Sequence, residues 1–191
     1  MKKLFTIIVL AVASMSMASA QNFGIIGGFT SSKTNLREVD SKSVAAWHAG
    51  IAYRHNVGPV FAVQPALTYE AKGAQIGDAR WQTGYVEASC GLQLGIDLAI
   101  VRPYGVFEPF LGYQVYGEEF KAGNLKENIM AITNHFEYGF GVGGGIEVLE
   151  FLQISVQWFK NFGYLFKEDS RASHGDMQNY QGIKVTLGIF F

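Results

Sequence analysis

The sequence predicts an all-β protein, an eight-stranded antiparallel up-and-down β-barrel that spans a membrane. Three observations lead to this fold class. Apolar residues recur at every second position in eight separate segments, which is the side-chain period of a strand with one apolar face. The polar connections between these segments alternate between long and short. Beyond residue 20, no apolar run approaches the roughly 20 residues of a transmembrane helix, which leaves a secreted protein, a surface location or a barrel that crosses the membrane with strands.

The composition is that of one folded domain. The chain has 191 residues, 49% of them hydrophobic and 16% charged, and this apolar content excludes a disordered chain. A formal net charge of −1 carries no basic excess for binding nucleic acid. The single cysteine, Cys90, cannot form an internal disulfide, and we expect it to act as a small apolar residue on the membrane face.

The first 20 residues form a separate unit, which we predict to be a cleaved signal peptide. Lys2 and Lys3 give a basic start, residues 4–13 are apolar, and small residues at 18–20 suit a cleavage site. The alternative, an uncleaved membrane anchor, is disfavoured because the apolar run is too short to span a bilayer as a helix. Residues 21–191 are therefore expected to form the exported barrel domain.

Each of the eight segments is at least close to the roughly 9–11 residues that a tilted strand needs to cross a bilayer. The sixth segment shows the pattern most clearly, with Phe136, Tyr138 and Phe140 on one face and Glu137 and Gly139 on the other. A count of ten strands would require splitting segments that are continuous. The eight segments are residues 22–30, 47–54, 61–72, 85–98, 107–116, 136–148, 152–159 and 182–191.

The connections indicate how such a barrel is oriented. Bacterial outer-membrane barrels have short periplasmic turns, longer outside loops, an even number of strands and aromatic girdles at both interfaces. Aromatic residues lie near both ends of the apolar segments here, as at Trp158 and Phe61. The long polar connections are residues 31–42, 73–80, 118–131 and 167–178, and the short ones are residues 55–59, 99–102 and 149–151.

The apolar face is expected to point outward, towards lipid. A soluble barrel of the lipocalin type also alternates, but its interior would here have to hold too many large side chains for eight strands. The second face is rich in glycine, serine, threonine and glutamine and carries too few charges for a water-exposed surface. The glycines at 139, 141, 143 and 145 are expected to leave room for bulky side chains from the opposite wall.

The lumen is then expected to contain a network of charged side chains. Buried charges must be paired or hydrated, so we predict ion pairs that plug the barrel. A narrow channel, favoured by the excess of acidic residues, stays open as the alternative. The predicted network consists of Arg54, Glu70, Lys72, Glu87, Asp97, Glu108, Glu137, Glu147 and Lys184.

The last segment is expected to direct insertion into the outer membrane. Its apolar row ends on an aromatic residue, a pattern similar to the signal that the barrel-insertion machinery recognises. We expect this strand to pair with the first one and close the barrel. We also expect deletion of Phe191 to impair insertion more than any activity. The row consists of Ile183, Val185, Leu187, Ile189 and Phe191.

Four stretches of the sequence resemble the PorT-like family of outer-membrane β-barrels. They are the signal peptide, the segments 61–73 and 138–147, and the final strand that ends in phenylalanine. The resemblance covers essentially the whole mature chain, and its motifs describe barrel architecture without chemistry. It implies a small eight-stranded barrel of the bacterial outer membrane, and one member of that family belongs to a secretion machinery.

No motif predicts catalysis or a cofactor. The GxGxxG match at residues 139–144 lies inside an alternating strand, where a nucleotide site would need a helix. The four histidines, at 48, 55, 135 and 174, lack metal-ligand spacing. By parity His48 and His135 are expected in the lumen, where, with Glu137, they are the one candidate for an outer-membrane hydrolase or acyltransferase; no nucleophile accompanies them.

The sequence therefore predicts a monomeric, non-enzymatic outer-membrane barrel with a structural or surface-interaction role. Its expected partners are outer-membrane lipid, the insertion machinery and a protein that contacts the long loops from outside, and nucleic acid is not among them. No cofactor and no metal ion are expected. The alternatives are a narrow pore or a component of a secretion or translocation assembly, and an outer-membrane enzyme comes after these.

Overall fold

A computed structural model of the chain describes residues 22–34, 41–76, 79–117, 119–122, 125–128, 133–163, 165 and 179–191. The regular elements within these ranges are all β-strands. No helix in the described ranges is both long and apolar enough to cross a membrane. The predicted signal peptide, the loop 167–178 and His174 lie outside the described residues.

The strands follow one another along the chain with antiparallel pairing between neighbours. They are β1 (Phe23–Lys33), β2 (Lys42–Tyr53), β3 (His55–Val57), β4 (Phe61–Ile76), β5 (Ala79–Gly95), β6 (Val101–Gly117), β7 (Glu119–Ala122), β8 (Leu125–Asn128), β9 (Phe136–Val148), β10 (Leu152–Asn161) and β11 (Gln181–Phe190).

Eight walls close into a barrel. β2 and β3 make a single wall, because both pair with β4 and only Arg54 separates them. β11 pairs with β1 from Gly24↔Phe190 to Lys33↔Gln181, so the last strand meets the first, as predicted. Closure leaves no free sheet edge in the wall, which a membrane-spanning sheet requires. The predicted fold class, a closed eight-stranded antiparallel barrel, is confirmed.

The two ends of the barrel differ. At one end, which we call the short-turn end, tight turns of residues 58–60, 96–100 and 149–151 join the strands. Ala99, Leu149 and Glu150 take left-handed backbone conformations in these turns, with φ of 63°, 53° and 62°. The opposite end, the long-connection end, carries the longer links between β1 and β2, β6 and β9, and β10 and β11.

The barrel wall is taller on one side at the long-connection end. β4, β5 and β6 have 16, 17 and 17 residues, more than the roughly 9–11 needed to cross a bilayer. The loop predicted at residues 73–80 is therefore wrong, because β4 runs to Ile76 and β5 starts at Ala79. The predicted loop 118–131 likewise contains the paired strands β7 and β8.

The two faces of the wall separate as predicted. Large apolar side chains point outward, with Phe29 72% and Leu94 63% exposed. Charged and amide side chains point inward, where Glu70 is 1% and Lys72 is 2% exposed. An apolar outer face and a polar interior are typical of a barrel that is embedded in a membrane.

Apolar clusters lie inside the barrel at both ends of this polar interior. Ile26, Ala52 and Phe190 form a small one at the short-turn end. A larger cluster, the aromatic cap, lies at the long-connection end. The aromatic cap consists of Ala74, Trp81, Tyr85, Phe110, Phe159, Leu165 and Tyr180.

Glycines of β9 make room for large side chains of the neighbouring strand β6. A Cβ atom at Gly139 would lie 2.7 Å from the Cζ atom of Phe110, and one at Gly145 would lie 2.5 Å from the hydroxyl of Tyr104. The sequence predicted this role but assigned the bulky partners to the opposite wall.

Candidate functional site

The part of the charged interior nearest the long-connection end is organised around Lys72 of β4. Its ammonium nitrogen lies 2.9 Å from a carboxylate oxygen of Glu87 on β5 and 2.7 Å from one of Glu137 on β9. The same ammonium group lies 4.9 Å from the ring centre of Phe110, which belongs to the aromatic cap. Asn161 donates a hydrogen bond to the second oxygen of Glu137. Lys72 thus connects β4 with β5 and β9, and it contacts the aromatic cap through Phe110.

A second ion cluster is organised around Lys184 of β11. Its ammonium nitrogen lies 2.9 Å from Glu108 of β6 and 3.4 Å from Glu70 of β4. Glu87 is 3.9 Å away and connects this cluster to the first. Because β11, β6 and β4 do not pair with one another, these contacts cross the lumen.

A third cluster closes the short-turn end. Arg54 lies 2.7 Å from Glu147, stacks over the ring of Phe190 at 4.6 Å, and donates a hydrogen bond of 2.7 Å to the backbone carbonyl of Glu150. Arg102 lies 3.6 Å from the same carboxylate and 3.5 Å from Asp97. The Asp97 side chain is 60% exposed, since β5 already ends at Gly95, so it lies at the rim and not in the buried network.

The nine predicted network residues thus lie in three clusters, of which the first two are joined through Glu87, and Asp97 lies at the edge of the third. Arg102 was missed by the sequence reasoning, which assigned it to a turn. β6 begins at Val101, and Arg102 shares the inward parity of Tyr104, Val106 and Glu108. Extending the alternation by a few residues would have identified it.

His48 is enclosed by hydroxyl groups. Its two ring nitrogens lie 3.0 Å from the hydroxyls of Thr30 and Thr186, and Thr30 donates to Glu70 at 3.3 Å. His135 does not join it. Because His135 precedes β9, strand parity does not govern it, and its ring packs against that of Tyr113 at 5.9 Å, a side chain on the outer face. The predicted lumen position is therefore wrong for His135, whereas His48 lies in the lumen as predicted.

Two cavities of different size border the charged interior. A cavity of about 20 Å³ lies beside His48, Glu70, Glu108 and Lys184. This volume is comparable to one water-sized guest. A larger cleft of about 330 Å³ opens at the short-turn end, beside Asp97, Arg102 and Glu150.

The aromatic cap covers the lumen at the long-connection end. Trp81 and Thr83 both donate hydrogen bonds to the Tyr180 hydroxyl, at 3.1 and 3.0 Å. Burial raises the pKa of Tyr180 to about 12, so its phenol stays protonated at neutral pH. Leu165, from the connection between β10 and β11, is 1% exposed inside the same cluster.

The structure also shows where the other candidates from the sequence lie, namely the GxGxxG match, Cys90 and the row predicted to direct insertion. The GxGxxG match lies within β9, and Cys90 is half-buried in β5. Among the described residues, no group of three or more His, Cys, Asp or Glu side chains could hold a metal ion. The row predicted as the insertion signal lies on the outer face of the barrel. Its exposed fractions are 51% for Ile183, 43% for Val185, 48% for Leu187, 50% for Ile189 and 55% for Phe191.

Comparisons with known proteins agree with this architecture. A family model described as "Outer membrane protein beta-barrel domain" matches residues 5–191. No curated protein matches the chain in sequence. Among solved structures, Neisserial surface protein A is similar, with a TM-score of 0.54 and 12% identity over 88% of this chain and 97% of that one.

A second similar structure is Ail, the attachment invasion locus protein of Yersinia pestis. Its TM-score is 0.50 and its identity is 12%, over 90% of this chain and 99% of that one. At such low identity the likeness concerns the fold alone.

Proposed function

The chain belongs to the outer membrane protein β-barrel domain family, whose model covers nearly all of it, and we propose its function on that basis. The protein is an outer-membrane β-barrel. We propose that it is a monomeric, non-enzymatic component of the envelope, exported by a cleaved signal peptide, with a lumen closed by side chains and a role in surface interactions. We further propose that its nearest kin within the family are the PorT-like barrels.

One observation carries the closed lumen: three ion pairs join walls that are not neighbours, namely Lys72–Glu137, Lys184–Glu70 and Lys184–Glu108. Lys184 contacts carboxylates on β4 and β6, and Lys72 contacts carboxylates on β5 and β9. The cavity beside them has a volume of about 20 Å³, comparable to one water molecule. These contacts support a barrel that holds its shape without conducting ions.

Conductance across planar bilayers tests this proposal. We expect the folded protein to give no steady current at either polarity. A narrow cation pore is the second candidate, because Glu70, Glu87, Glu108 and Glu137 outnumber Lys72 and Lys184 in the two central clusters. A steady cation-selective current, lost when these carboxylates are protonated, would establish the pore and overturn the closed lumen.

The surface-interaction role is supported by the tall side of the barrel. β4, β5 and β6 extend beyond the length needed to cross a bilayer, and the hairpin of β7 and β8 follows them. The two similar structures are a surface protein and an attachment invasion locus protein by name. We propose that the long-connection end faces the outside and contacts another protein there.

Cross-linking on intact cells tests the proposed contact. A variant in which a short Gly-Ser turn replaces the β7–β8 hairpin is compared with one in which the turn 58–60 is lengthened by the same linker. We expect captured partners to be lost from the hairpin variant and kept by the turn variant. Identical partners in both variants would contradict a contact at the long-connection end.

We also propose that the outward row of β11 directs insertion. Phe191 is 55% exposed and its ring packs against Phe23 at 5.8 Å. We expect Phe191→Ala to reduce insertion in cells while the purified variant still refolds in detergent. Phe151→Ala is the matched control, since Phe151 is 48% exposed at the same end of the barrel. Equal insertion of both variants would argue against the signal.

A further inference from the structure

A small cavity lies inside the barrel beside the ion cluster of Lys184. Its volume is about 20 Å³, which is room for one guest of about the size of a water molecule. Three charged side chains line it, namely Glu70, Glu108 and Lys184, and they are 1%, 8% and 8% exposed. The lining therefore carries two negative charges and one positive charge. We call this space the inner cavity.

The protein around the inner cavity does not balance this excess of negative charge. Glu87 lies 3.9 Å from Lys184 and adds a further carboxylate. Lys72, the cation of the neighbouring cluster, is already shared by Glu87 and Glu137, at 2.9 and 2.7 Å. The two arginines at the short-turn end are paired with carboxylates of their own. A buried charge without a partner is strongly destabilising, so a further positive charge is expected in this part of the lumen.

His48 borders the inner cavity, but its contacts do not require a charged ring. Thr30 donates its hydroxyl hydrogen to Glu70 at 3.3 Å, so Nδ1 of His48 donates to Thr30 at 3.0 Å. The other ring nitrogen, Nε2, can then accept from the hydroxyl of Thr186 at 3.0 Å. A neutral imidazole, with one nitrogen that donates and one that accepts, satisfies both contacts. The missing positive charge is therefore left to a guest.

Gln157 of β10 provides a separate observation that points to a guest. It lines the inner cavity and is 6% exposed, and its buried side-chain oxygen has no hydrogen-bond donor among the described residues. Such an oxygen costs free energy unless it has a partner, and a cation is one. Thr68, Ser155 and Tyr104 add hydroxyl groups to the same lining. Oxygen atoms of this kind hold monovalent cations in proteins by replacing their hydration shell.

We propose that the inner cavity binds one monovalent cation of the size of potassium, which neutralises the excess charge of Glu70 and Glu108 beside Lys184. Mg²⁺ is excluded because it keeps several waters, which a space for one guest does not hold. The described residues also include no group of three His, Cys, Asp or Glu side chains for a divalent metal. The ion connects β4, β6 and β10 across the lumen. The inference goes beyond the proposed function, because it adds a ligand to the interior.

Thermal unfolding in a non-ionic detergent tests the site. The protein is refolded and measured in potassium chloride or in tetramethylammonium chloride at the same ionic strength, so that screening of charges is equal. Tetramethylammonium is too large for a cavity of about 20 Å³. A cation that binds the folded state raises the Tm by mass action, and we expect about 3–6 °C at a potassium concentration of about ten times Kd. Equal Tm values in the two salts at every concentration would overturn the proposal.

Three variants locate the effect. Glu108→Gln removes one negative charge from the lining, so its Tm should be equal in the two salts. Gln157→Leu removes the unpaired oxygen without a change of charge, and it should weaken the apparent affinity for potassium about tenfold. Glu137→Gln is the matched control, because it removes a buried carboxylate that does not line the cavity, and it should keep the difference between the salts. An equal difference in Glu108→Gln and Glu137→Gln would overturn the site.

A crystal grown in rubidium chloride provides a measurement that does not depend on the folding of any variant. Rubidium replaces potassium at oxygen sites and scatters anomalously. We expect an anomalous peak between Glu70, Glu108 and Gln157. Density for a water molecule without such a peak would mean that a proton, on a carboxyl group or on His48, neutralises the lining, and the cation would then be excluded.

These outcomes are separate from those of the proposed function. Conductance shows whether ions cross the lumen, whereas the Tm and the anomalous peak report an ion that stays in it. A barrel that conducts can still hold this ion. A closed barrel can equally lack it, and then only the cation site is lost.

Discussion

Lys184 shows how single side chains determine the interior of this barrel. Its ammonium nitrogen forms ion pairs with Glu108 at 2.9 Å and with Glu70 at 3.4 Å, and both carboxylates are almost fully buried. Removing one partner of a buried ion pair leaves the other charge uncompensated, which is more costly than never having buried the pair. The network is therefore more sensitive to loss of one member than to replacement of the whole group.

We expect Lys184→Met to lower the free energy of unfolding by about 3–5 kcal/mol, because two carboxylates lose their cation. Urea unfolding of the protein in lipid vesicles measures the loss. Lys42→Met, at an exposed site, should change stability by less than about 0.5 kcal/mol. Adding Glu108→Gln to Lys184→Met should restore part of the stability, and a double variant no better than the single one would argue against the pairing.

A second residue-scale prediction concerns the glycines of β9. A Cβ atom at Gly145 would lie 2.4 Å from the backbone oxygen of Ile154 and 2.5 Å from the Tyr104 hydroxyl. We expect Gly145→Ala to cost about 1–3 kcal/mol, as overpacking does. Gly105→Ala is the control, since its nearest neighbour would be the Gly143 oxygen at 3.9 Å. Equal unfolding midpoints for both variants would contradict this packing.

At the scale of elements, the depth of a residue in the membrane determines how much a charged substitution on the outer face destabilises the barrel. Leu187 lies within β11 on the outer face and is 48% exposed, whereas Val57 is 50% exposed at the end of β3 beside a short turn. We expect Leu187→Arg to cost about 2–4 kcal/mol and Val57→Arg about 0–1 kcal/mol, because the penalty for arginine falls from the bilayer centre to its surface.

Unfolding of both arginine variants in vesicles of the same lipid measures the difference. Similar exposed fractions make the pair a matched comparison, so water accessibility alone predicts equal costs. A Val57→Arg variant as unstable as Leu187→Arg would mean that lipid does not surround β11 at this level.

The sequence predicted the membrane-spanning part of each strand well, and the reason is physical. Lipid requires apolar side chains on one face along about nine or more residues, so period two persists there. Beyond this zone, towards the long-connection end, the polarity of the two faces reverses in β4 and β5. There the apolar Ala74 and Trp81 are buried inside and the charged Arg80 is exposed outside. Because the outer face is no longer apolar there, the sequence predicted a loop at residues 73–80, although the strands continue beyond the membrane-spanning zone.

The charged interior was predictable for a similar reason, with limits set by geometry. Inward parity identified Lys72, Glu137 and Lys184 without any knowledge of distances. Parity does not say which walls a side chain reaches, so the link between β11 and β4 could not be anticipated. It also fails outside strands, as at His135, whose ring lies beside Tyr113.

At the scale of the whole molecule, the two ends of the barrel provide different surfaces. The short-turn end has tight turns and the Arg54 cluster, and the long-connection end has the tall wall and the aromatic cap. A barrel with long loops at one end and short turns at the other is expected to place the long loops outside the cell. The proposed surface contact follows from this orientation.

Cysteine labelling on intact cells measures the orientation directly. Cys90 is first replaced by alanine, and single cysteines are then introduced as Arg80→Cys at the start of β5 and Asn56→Cys in β3, both at exposed positions. A maleimide that cannot cross the outer membrane should label the first variant on intact cells and the second only after the membrane is permeabilised. The reverse pattern would place the tall wall in the periplasm, where an extracellular partner could not reach it.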